Sequence, residues 1–69
     1  MTIDDIVSRT QVFGKVTRTD ILDVLEFYHN KDQEWENVSA FLDMVGTVSV
    51  EDKNKILADV NSYPVSYPR

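Results

Sequence analysis

Apolar residues recur three and four positions apart through most of the chain, the spacing of one face of a helix. Four segments carry it. A first helix of about 3–9 turns Ile3, Ile6 and Val7 inward. A second, about 18–29, gathers Ile21, Leu22, Val24, Leu25 and Tyr28 within roughly half the helical wheel. Asp20, Asp23 and Glu26 recur on its other side, and Phe27 falls off the stripe, either widening the core face or staying partly exposed. A third helix, about 33–45, aligns Trp35, Val38, Phe41, Leu42 and Val45, which makes Trp35 a core anchor. A fourth, about 50–61, aligns Val50, Ile56, Leu57 and Val60. The segment TQVFGKV, residues 10–16, is rich in β-branched and aromatic residues. It predicts a loop or short extended piece, with Val12, Phe13 and Val16 covering the core.

Capping residues agree with these starts. Thr2 with Asp5, Thr17 with Asp20 and Ser49 with Asp52 each place a hydroxyl three residues before an acid. The hydroxyl can accept from a free backbone N–H, and the acid sits by the positive end of the helix dipole. Aspartate is shorter than the usual glutamate, so the reciprocal bond is the less secure half. Asn30 with Gln33, two amide side chains at the same spacing, is a fourth capping signature, with Asp32 the alternative cap. Gly46 stands where a left-handed helix stop favours glycine. The expectation is an all-α fold, a compact bundle of three or four short helices over residues 1–62. An extended tail, 63–69, carries Pro64 and Pro68, which lack N–H groups and push the preceding tyrosines from helical geometry. Tyr63 either packs back on the bundle or forms a docking peptide with Tyr67.

Size and composition narrow the class. Sixty-nine residues make one domain at most. A chain this short buries only about 60% of its unfolded surface, so its core is small. A homodimer burying Phe27, Met44 or the 12–16 segment would enlarge it. The absence of cysteine excludes disulfides and thiolate metal sites and favours a reducing, cytoplasmic setting. No apolar run approaches a membrane span, and MTIDDIVSRT has acids where a signal peptide carries bases.

Charge is placed unevenly. Of the net −5, residues 19–45 carry −6, from seven acids against Lys31, and the remainder carries +1. Arg9, Lys15 and Arg18 lie in an acid-free stretch, 6–19. Such a balance disfavours DNA or anionic lipid as the main partner, since affinity for those comes from clustered Lys and Arg.

Little points to a reaction. His29, Asp32 and Glu36 have the spacing of one helix face, but Asn30-Lys31-Asp32 reads as a stop and restart. A single imidazole with two carboxylates is an unspecific ligand set. His29 fits better as a residue of the last turn of the second helix, facing the negative dipole end. No serine lies in a G-x-S-x-G turn, and neither glycine lies in a phosphate loop. The chain is therefore expected to be non-enzymatic, with no cofactor or metal.

The favoured function is a small acidic protein–protein interaction domain, a regulator or inhibitor that engages a basic surface on a partner protein. Asp20, Asp23, Glu26, Glu34, Glu36 and Asp43 are its expected contact residues. That basic surface could be the DNA-binding face of another protein, with these acids imitating the charge of DNA. The alternative is a helix-turn-helix over 38–60 that binds DNA through Lys53, Asn54 and Lys55. Against it, Glu51 and Asp52 lead the second helix, where phosphates would be repelled.

Overall fold

A computed structural model describes residues 2–64. Its helices begin on the predicted hydroxyls. At the start of α1 (Ile3–Phe13), the Thr2 hydroxyl accepts from the Asp5 N–H at 3.3 Å, and the Asp5 carboxylate accepts from the Thr2 N–H at 2.9 Å. Thr17 and Asp20 repeat the exchange before α2 (Arg18–Tyr28), at 3.3 and 3.0 Å. Aspartate thus reaches back in both places. Before α4 (Val50–Ala58), Ser49 Oγ accepts from the Asp52 N–H at 3.2 Å. A 3-10 turn, Lys31–Gln33, capped by Asn30, leads into α3 (Glu34–Val45). After α4 a second 3-10 turn, Val60–Ser62, completes the described elements, none of which is a strand.

The expected all-α bundle is therefore present, with changed boundaries. α1 does not stop near Arg9 but continues through Phe13, and Gly14 ends it in the left-handed region at φ 93°, its N–H bonded to the Thr10 carbonyl. A β-branched or aromatic residue costs a helix only about 0.5 kcal/mol relative to Ala. Burial of Ile6 and Thr10 on one stripe of α1 outweighs that. Thr10 suits the interior because its hydroxyl donates to the Ile6 carbonyl at 2.9 Å. Consequently Val12 and Phe13 do not cover the core. They are 89% and 62% exposed, and of the three expected residues only Val16 packs inward.

α3 is the central element. It touches α1, α2, α4 and the 60–62 turn. The core comprises Ile6, Ile21, Val24, Leu25, Val38, Phe41, Leu42, Val45, Leu57 and Val60. Besides Val12 and Phe13, three expected core residues lie elsewhere. Leu22 of α2 is half-buried, outside this cluster. Val50, at the first position of α4, is exposed. Trp35 is 53% exposed, and Glu34 is buried in its place. The inward line of α3 runs through residues 34, 38, 41 and 45, and one residue further along turns a side chain by about 100°. Trp35 consequently stands on the flank.

The radius of gyration is 11.2 Å, against roughly 11 Å for a packed chain of this length. No helix among the described residues is long and apolar enough to cross a membrane.

Candidate functional site

The acidic residues of α2 belong to two different settings. Asp20 is buried and serves two purposes. Its Oδ2 accepts from the Thr17 N–H, and its Oδ1 accepts from Arg9 Nε at 3.1 Å and Nη2 at 2.6 Å. The same Nη2 donates to Asp23 Oδ2 at 2.7 Å. One arginine on α1 thereby holds two carboxylates of α2. Burial alone would raise the Asp20 carboxyl. The Thr17 N–H and the Arg9 guanidinium outweigh it and hold the group below the ordinary carboxylate range. Of the bases in the acid-free stretch, Arg9 is the one that pairs with carboxylates of α2 among the described residues.

Of the other expected contact residues, Asp43 pairs with Lys53 at 2.6 Å. Glu34 is buried at the first turn of α3, where the helix dipole favours a negative charge. Glu26 and Glu36 are exposed and form no ion pair among the described residues. With Asp20 and Glu34 buried and Asp23 and Asp43 paired, Glu26 and Glu36 are the two of the six that are both exposed and without an ion pair among the described residues.

What does accompany them is aromatic surface. Phe27, beside Glu26, is partly exposed and meets the Tyr28 ring edge-on, with centroids 5.2 Å apart. Ile6, Asp23, Glu26, Phe27 and His29 line one shallow depression. Arg9, Phe13, Thr17, Thr19 and Asp20 line a second. The Arg9–Asp20–Asp23 triad joins them, with Phe13 in one and Phe27 in the other. Across the α2–α3 joint, Trp35 and Glu36 follow one another in the first turn of α3 and are both exposed.

His29 occupies the joint as a helix stop. It adopts φ 51°, the sole positive φ at a non-glycine among the described residues, and its N–H donates to the Leu25 carbonyl at 3.1 Å. Its position is set by the turn. Among the described residues, no three His or carboxylate side chains come together as a metal-binding group.

Residues 38–60 do form two helices joined by a short turn, Lys53 being tied to Asp43 of the preceding helix. Tyr63 packs back on the bundle, half-buried, beneath the Arg18 guanidinium at 4.6 Å. Tyr67, the other half of the expected docking peptide, lies outside the described residues.

Sequence reasoning missed the Arg9 triad and the exposure of Trp35. The first had a signal in Arg9 facing a run of acids at helical spacing. The second had none, because Trp35 and Glu34 sit side by side and hydropathy favours the wrong one. No family model, curated protein or solved structure matches this chain.

Proposed function

We propose that the chain is a non-enzymatic protein–protein interaction domain whose working surface is the aromatic and acidic ground around the α2–α3 joint. Glu26, Phe27, Trp35 and Glu36 are its contact residues. The observation that supports it most is Trp35. A domain with so little apolar material gains from burying every large side chain, yet it leaves its only tryptophan half in water. Tryptophan is enriched among the residues that dominate binding energy at interfaces. Flanking carboxylates suit a partner with a basic surface and make association faster at low salt. A DNA-binding face of another protein has that character, which would make this chain a regulator or inhibitor of it.

Pull-down from the native host's lysate at two salt concentrations tests the reading when wild type is compared with two variants. Trp35→Ala should lose the captured protein while retaining helical circular dichroism. Glu26→Gln with Glu36→Gln should weaken capture at low salt and flatten its salt dependence. Undiminished capture by Trp35→Ala sinks the reading. A DNA fragment shifted at low salt by wild type, and no longer by Lys53→Ala or Lys55→Ala, would replace it with the helix-turn-helix.

A further inference from the structure

On an acidic molecule, the cations without a carboxylate partner are the informative ones. Arg9 is held by Asp20 and Asp23, Lys53 is held by Asp43, and Arg18 lies over Tyr63. Among the described residues, Lys15 and Lys55 likewise form no ion pair, Lys15 Nζ lying 5.8 Å from the Phe13 ring centroid, although twelve acids stand against seven bases in the chain. Both line the same cleft, about 410 Å³ in volume, between the α1–α2 turn and the α3–α4 turn. Val16, Val48 and Ile56, all half-buried against the core, supply its apolar lining. Gly14 lies at the edge, where an added Cβ would meet nothing within 4 Å. Asp52 is the single acid of the lining, so two cations oppose one carboxylate here while the chain as a whole is at −5.

We propose that this cleft binds a short acidic peptide segment, Lys15 and Lys55 taking its carboxylates and Val16, Val48 and Ile56 seating an adjacent apolar side chain. Charge complementarity names the acid. The apolar lining names the neighbour, since a bare anion would leave it unused. The volume lies within the range of ligand clefts, roughly 300–1,000 Å³. None of the residues around the α2–α3 joint takes part, so this proposal stands or falls separately from the proposed function.

The test is a titration of the full chain followed by amide chemical shifts. The probe is a capped tetrapeptide of alternating Asp and Leu at millimolar concentration. Shifts are expected at Gly14, Lys15, Val16, Thr47, Val48 and Ile56. Lys15→Gln with Lys55→Gln should weaken binding about fivefold, the loss of two exposed ion pairs. Asp52→Asn should tighten it about twofold, a change of opposite sign that general damage to the fold would not produce. Equal binding of the Asn-Leu peptide overturns the proposal by reducing the cleft to an apolar contact. Equal shifts with inorganic phosphate overturn it in favour of a simple anion site. Shifts confined to other residues, or none, overturn it outright.

Discussion

Trp35 and Phe41 lie on the same helix and differ only in which way they face. Replacing Phe41 with Ala opens the core, at about 3–5 kcal/mol. That approaches the whole stability of so small a domain. Trp35→Ala should cost less than about 1 kcal/mol, because surface positions carry little. Urea unfolding of the two variants measures the contrast. Hydropathy alone placed both inside, and no local residue marks which of Glu34 and Trp35 turns inward. His29 offers a second check. Its left-handed backbone strains an L residue by about 1–2 kcal/mol, part of which glycine returns as lost chain entropy. His29→Gly should therefore raise stability by about 0.5 kcal/mol, again read from the urea midpoint. Asp20 sets the acid limit. Its folded carboxyl titrates below the unfolded value, so its contribution is present above about pH 4 and disappears as pH falls through the lower folded value. Asp5, bonded to the Thr2 N–H, acts in the same direction. Urea midpoints measured from neutral pH to pH 3 should fall, and Asp20→Asn should flatten that fall.

Helix starts were legible because a hydroxyl and an acid at fixed spacing do one local job, whatever the rest of the chain does. The ends of α1 and α4 were less so. Thr10, Val12 and Phe13 are mediocre helix formers, and such propensities yield when one stripe of the helix is buried. The stronger stop is Gly14, five residues beyond Arg9. Gly14 separates strain from crowding, since a side chain there meets open space but the backbone is left-handed. Gly14→Ala should cost about 1 kcal/mol by thermal or urea unfolding, all of it from the backbone. Arg9 already lay inside the expected helix, and it reaches Asp20 and Asp23 because α1 packs against α2. The acidic face of α2 was legible as a pattern, but its occupancy by Arg9 depends on how two helices pack.

For the whole molecule, the all-α class and most of the core followed from periodicity alone, because α2 and α3 each bury several residues at helical spacing, while α4 adds Leu57. The surface did not follow, since ion pairs join residues whose separation in sequence carries no period. One such long-range link is the Gln11 side-chain amide, which donates to the Val45 carbonyl at 3.1 Å from 34 positions away. It joins the last turns of α1 and α3, and the N–H groups of Gly14 and Gly46 close those two turns. Such a rivet should make the two loops exchange deuterium as a single cooperative unit. Gln11→Ala should speed exchange at both glycine amides together, and acceleration at Gly14 alone would show that each loop breathes independently.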